Sequence, residues 1–178
     1  WSDVVPLTEK SYPSGQLQNW PKGAPLTLHN LASLMISISD NTATDHLIAL
    51  LGRQAIEREA PETMRPFLST REAFLLKWGD QLERRARYQA GQEKTRRGIL
   101  KELSRLDVSE VSPSAAPIAI KEVEWRASAY ELCEVMWALR ESDLLSINPG
   151  LASPSLKPWS KVSFKGGSEP GVLNYTHL

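Results

Sequence analysis

Between residues 27 and 52 the apolar positions recur at helical spacing in two blocks. Leu28, Leu31, Leu34, Met35 and Ile38 form the first, with Thr27 as its predicted N-cap. Ala43, Leu47, Ile48 and Leu51 form the second, with Asn41 or Thr42 as the predicted cap and Gly52 as the stop. Residues 71–106 carry a longer helical pattern (Phe74, Leu75, Trp78 and Leu82, then Ile99, Leu100, Leu103 and Leu106) that Gly91 and Gly98 are expected to interrupt. It reads as a solvated helical hairpin, the alternative being a lid or partner-docking insertion. Residues 108–117, VSEVSPSAAP, read as a loop. Residues 124–140 are amphipathic again: Trp125, Leu132, Val135, Met136 and Leu139 share one face, and Ser128 is the predicted N-cap. From Trp159 the pattern alternates as in a strand, up to a turn at Glu169-Pro170-Gly171.

The break between the first two helices holds Ser39-Asp40-Asn41. Taken alone, such residues at a helix junction are capping residues, because their side chains bond nearby backbone groups. Far downstream, Phe164-Lys165-Gly166-Gly167-Ser168 ends the strand pattern. Taken alone, Lys165 reads as a solvated strand lysine.

The segment LMISISDNTATDHLIALLG closely resembles the Ser-Asp-Asn region of class A β-lactamases and related penicillin-interacting serine hydrolases. The resemblance extends over most of residues 7–52. Lys165-Gly166-Gly167 stands where that family has Lys-Thr-Gly on an edge strand. It implies an α/β (α+β) fold of the serine β-lactamase/transpeptidase type, with a helical subdomain packed against an antiparallel sheet that is incomplete in this chain. The expected organisation is a single partial domain: residues 1–70 as the helical subdomain, 71–117 as a helical insertion and loop, and 118–178 as a helix followed by the strand.

Position by position, the resemblance implies that Ser39 relays a proton to the leaving group. Lys165 contributes positive charge, and Asn41 holds the acyl side chain. Gly167 and Ser168 lie on the substrate-binding sheet side, Ser168 or its backbone N–H bordering the oxyanion hole. Asp40 is expected to be structural, its carboxylate turned to backbone N–H groups. No Ser-x-x-Lys occurs at a suitable place, so the nucleophile is expected upstream of Trp1 and the chain is expected to be a fragment. Gly166 replaces a residue whose hydroxyl commonly binds the β-lactam carboxylate. The family's deacylating Glu-x-x-Leu-Asn loop has no counterpart, since residues 53–66 are short. Glu72 sits before Leu76 rather than an asparagine, and with Ser69 it reads as a capping box; Glu57, Glu59 and Glu62 have no motif behind them.

The expected activity is therefore acyl transfer from an amide, ester or β-lactam, with poor β-lactam deacylation. The alternatives are a non-catalytic binder of the same fold, a D-alanyl-D-alanine peptidase-type penicillin-binding protein, or a helical module in which the motifs are coincidental. Twenty-one basic and 21 acidic residues give zero formal charge, which points away from general nucleic-acid or anionic-membrane binding. The expected partner is a small-molecule substrate. Single Cys133 excludes an intrachain disulfide and reads as a small core residue. His29, His46 and His177 lack ligand spacing, so neither metal nor other cofactor is expected. By resemblance the protein is expected to be exported to a bacterial periplasm or cell envelope.

Overall fold

The computed structural model describes residues 1–106, 111–150 and 159–178. It opens with a short antiparallel ribbon, β1 (Val4–Pro6) paired with β2 (Pro25–Thr27). Two helices follow, α1 (Leu28–Ser37) and α2 (Asn41–Leu51). Thr27 caps α1 as predicted, in a reciprocal capping box with Asn30. The cap of α2 is Asp40, one residue earlier than expected: its carboxylate accepts from Ala43 N, while Asn41 and Thr42 already lie inside the helix. Gly52, at φ 78°, ends α2 and begins α3 (Arg53–Glu59). Leu7, Leu17, Leu26, Leu31 and Ala43 form the core beneath the ribbon and the first two helices.

The region read as one hairpin consists of three helices: α4 (Thr70–Trp78), α5 (Leu82–Ala90) and α6 (Glu93–Leu103). Gly79 and Gly91 cap α4 and α5, whereas Gly98 lies within α6. Their second core gathers Leu68, Ala73, Leu75, Leu76, Tyr88, Ile99, Leu100, Leu103 and Val123. Leu82, expected to be apolar-facing, is exposed.

The later helix, α7 (Ala129–Ala138), is shorter than its pattern suggested, and Ser128 caps it. Trp125 precedes it, because its indole N–H donates to Leu68 O at 3.0 Å and holds that residue against α4's approach. Val135 and Leu139 are exposed, as is Cys133, so the cysteine is not a core residue. The chain ends in a hairpin of β3 (Phe164–Glu169) and β4 (Val172–His177), paired from Phe164↔His177 to Glu169↔Val172. The fold is thus a helical body meeting an antiparallel sheet. Residues 108–110 of the predicted loop lie outside the described residues; residues 111–117 form no helix or strand.

Candidate active site

Asp40 builds the helical wall. Its fully buried carboxylate accepts Ala43 N at 3.0 Å, Gln16 N at 2.6 Å and Leu17 N at 2.9 Å. The loop around residue 15 presses directly on it: a Cβ on Gly15 (φ 112°) would lie 2.3 Å from Asp40 Cγ. Only glycine combines that left-handed backbone with so close an approach. With Asp40 fixed, Ser39 takes up the turn between the helices at φ 54°, a region that costs a non-glycine residue roughly 1–2 kcal/mol. Asn148 Nδ2 closes the turn from outside, donating to Ser37 O at 2.7 Å.

Across the cleft, β3 brings Lys165 to this turn. Lys165 Nζ donates to Ser39 Oγ at 2.6 Å and also to Gly166 O. Burial holds the lysine ammonium below its ordinary range. Strand alternation puts Lys165, Gly167 and Glu169 on the face toward the helical wall, with Phe164, Gly166 and Ser168 on the other. Gly167 has open space above it: nothing lies within 4 Å of where its Cβ would be. Gly167 and Ser168 are both exposed.

Asn41 lies beside the turn in the first turn of α2. Its backbone N–H donates to Ser14 O at 3.1 Å, and its carbonyl accepts from Thr70 Oγ1 at 3.3 Å. Its side-chain Nδ2 is buried with no hydrogen-bond partner among the described residues. A buried amide donor left unpaired costs about 1–3 kcal/mol, which a ligand acceptor can recover.

Gly166 is enclosed by aromatic rings. A Cβ there would lie 2.8 Å from Phe164 Cζ, and the same ring would meet a Cβ on Gly150 at 2.4 Å. His177 packs on Phe164 at 4.7 Å and Tyr175 at 6.1 Å. The ring thus occupies the space that a side chain at residue 166 would need.

Glu72 is committed elsewhere. Its Oε2 accepts from Ser69 N at 2.8 Å while Ser69 Oγ accepts from Glu72 N at 3.1 Å, and its Oε1 accepts from Arg53 at 2.6 Å. Asp45 takes the preceding N–H groups of α4, Thr70 N at 2.7 Å and Arg71 N at 2.9 Å. Glu57 accepts from Phe67 N and Arg97, which with Arg53 hold its carboxyl down despite burial. His46 is buried between Thr42 O and Thr8 N, a tautomer with Nδ1 protonated. No group of three or more His, Cys, Asp or Glu positioned to hold a metal ion occurs among the described residues.

Sequence reading missed Gly15, although Pro13-Ser14-Gly15 is a turn signal. It also missed Lys77 and Glu124, which meet Glu169 in a buried cluster. Lys77 occupies the apolar face of a helix with no partner near it in sequence, so only the fold reveals the charges that meet it.

A family model described as "Beta-lactamase enzyme family" matches residues 2–96. Among solved structures, the crystal structure of beta-lactamase from Sphaerobacter thermophilus DSM 20745 is similar, with a TM-score of 0.58 at 22% identity. That likeness covers 99% of this chain and 58% of the other, so the chain spans little more than half of that protein's length. Comparison with curated proteins returns no match. Among the described residues no helix is long and apolar enough to cross a membrane.

Proposed function

The chain belongs to the beta-lactamase enzyme family, and from that premise we propose a serine hydrolase that passes an acyl group through a covalent acyl-serine intermediate. The observation that carries this reading is the 2.6 Å contact between Lys165 Nζ and Ser39 Oγ, two residues 126 positions apart. Because the lysine donates, Ser39 accepts at its oxygen and keeps its own O–H free to donate elsewhere. That is the arrangement a proton relay requires: the hydroxyl gives its proton to the departing nitrogen or oxygen and is reprotonated from its other side.

In this reading the nucleophilic serine lies on a segment outside residues 1–178. Its oxygen attacks the acyl carbonyl and gives up its proton, which through the relay replaces the one that Ser39 delivers to the leaving group as that bond breaks. Asn41 Nδ2, buried without a partner among the described residues, donates to an acceptor on the acyl side chain. The backbone N–H of Ser168, which strand alternation turns to the edge that β4 does not pair, receives the negative charge that develops on the reacting oxygen. Lys165 supplies positive charge beside that centre, with no carboxylate ion-paired to it among the described residues.

Two features support a narrower substrate class. Glu72 has both oxygens engaged in structural bonds, which supports slow hydrolysis of a β-lactam acyl-enzyme. Phe164 over Gly166 leaves no hydroxyl for a carboxylate next to the reacting bond, which favours an uncharged ester or amide over a penicillin. Export to the periplasm or cell envelope goes with this reading.

Intact-protein mass spectrometry of the complete protein, after incubation with a penicillin or with an activated ester, tests it. A lasting mass increase by one acyl group from the ester, with a weaker one from the penicillin, is expected. Neither increase, in a protein whose mass includes the upstream segment, would reject acyl transfer in favour of a non-catalytic binder.

A further inference from the structure

Away from the cleft's centre, α4 ends in a lysine that is almost wholly enclosed. Lys77 is 1% exposed, and its Nζ donates to Glu124 Oε1 and to Glu169 Oε1. The three residues come from α4, from the segment leading to α7, and from the end of β3. A lysine is almost never buried this deeply unless it is paired, and here two carboxylates pair it.

Its place in the fold gives the cluster a consequence for the site. The β3–β4 hairpin is two-stranded among the described residues, and a lone two-stranded hairpin is marginal in water. It therefore relies on its attachments. One is Lys165 on Ser39, and a second is Glu169 on Lys77, four residues further along the strand, or about 13 Å. Gly171, in the adjoining turn, rests close to Pro117: a Cβ there would lie 2.8 Å from Pro117 Cβ. The body to which Glu169 is fastened is itself joined to Ser39. Asp40 caps α2, Asp45 of α2 holds the first N–H groups of α4, and α4 ends in Lys77. A closed circuit of contacts thus runs from Ser39 through α2, α4, Lys77, Glu169 and β3 to Lys165, and back to Ser39.

We propose that Lys77, Glu124 and Glu169 are positioning residues for Lys165, fixing the direction of β3 so that its ammonium stays on the Ser39 hydroxyl. The catalytic importance of that contact rests on the function proposed above; the positioning itself does not. Gly171 on Pro117 and Phe164 on Gly150 seat the hairpin, and the Glu169–Lys77 bond adds a polar tie on the strand that carries Lys165.

The cluster also makes this positioning depend on pH. The charged groups facing Glu169 are Lys77 from α4 and Glu124 from the segment before α7. Burial and the neighbouring Glu124 push the Glu169 carboxyl up to about 7, although Lys77 pulls it down. With Glu169 protonated, one carboxylate faces one ammonium. Above that range two buried carboxylates share a single lysine, and the brace weakens. Because the folded state holds this proton more tightly than the unfolded chain, stability falls as pH rises from about 4.5 to about 7.

The test is an NMR titration of selectively labelled lysine Nζ in the complete protein, following the Lys165 resonance in wild type, Lys77→Met and Glu169→Gln. In wild type the Lys165 signal is expected to show an inflection near pH 7 in addition to its own titration. Glu169→Gln removes that inflection and keeps the Lys165 midpoint below the ordinary lysine range. Lys77→Met moves the midpoint up toward that range, and in an acylation assay lowers the rate about 10²-fold at unchanged KM. An inflection that persists in Glu169→Gln overturns the proposal, and so does an unchanged Lys165 midpoint in a folded Lys77→Met. If Lys77→Met does not fold, the Glu169→Gln titration alone decides. A cluster that moves the Lys165 signal while Ser39→Ala acylates at the wild-type rate would sink the proposed reaction and leave the positioning intact.

Discussion

Ser39 and Lys165 meet at 2.6 Å, yet the two walls that present them are built by different means. On the helical wall a single buried carboxylate, Asp40, ties the turn to the residue 15–17 loop and to α2 through three backbone N–H groups. Leu7, Leu17, Leu31 and Ala43 pack around it at essentially zero exposure. The sheet wall has no such core of its own. Leu173 is 66% exposed and Tyr175 48%, and besides the packing of Phe164 on Gly150 and of Gly171 on Pro117 the strand makes separate polar contacts at Lys165 and Glu169. Ser39 is therefore placed through one buried neighbour, Asp40, which gathers the bonds of the loop at residues 15–17, and Lys165 by groups scattered along the chain. Perturbing the first wall costs stability first; perturbing the second costs alignment first.

The largest expected effect removes the contact itself. Ser39→Ala in the complete protein should slow acylation by about 10²–10⁴-fold, read by stopped-flow or quench mass spectrometry, with a melting temperature close to wild type. Ser39→Gly should be equally slow and yet more stable by about 1 kcal/mol, because glycine tolerates the positive φ without strain. An equal loss of stability in both variants would contradict the strained turn. Next comes Asp40→Ala, which strips the helical wall of its organiser and leaves three buried N–H groups unpaired. Urea unfolding should report a loss of roughly 3 kcal/mol or more. Gly15→Ala drives a methyl group into the same carboxylate and should cost about 1–3 kcal/mol by the same measurement. The smallest effect belongs to Glu72→Gln. It weakens a capping box and an ion pair and should cost about 1 kcal/mol, with no change in the lifetime of an acyl-enzyme. A longer lifetime would make Glu72 a catalytic base and reverse the role assigned to it.

The same contrast explains what could be read from the chain. Thr27, Ser69 and Ser128 form their caps through bonds that span three residues, so the sequence pattern reveals them directly. The cap of α2 was misplaced by one residue because Asp40, Asn41 and Thr42 are all good caps, and the choice fell to the loop at residues 16–17. Ser39 and Lys165 were legible through the resemblance of their local motifs, not through any signal that links them. The Lys77 cluster joins residues 47 and 92 positions apart, and nothing near Lys77 in sequence marks it as buried. The length of α7 was overestimated because Trp125 obeys the helical period while serving another element, with its indole on Leu68.

The ring of Phe164, wedged between Gly150 and Gly166, restricts how this cleft could change over generations. A serine or threonine at residue 166 would place its Cβ 2.8 Å from that ring, so one substitution alone gains a hydroxyl only by dislodging Phe164. Shrinking Phe164 in turn gives up its ring contacts with His177 and Tyr175. A hydroxyl at residue 166 is therefore coupled to the placement of Phe164, so the two positions are tied to change together. The order in which mutations arrive at these two positions matters for any lineage that carries this sequence.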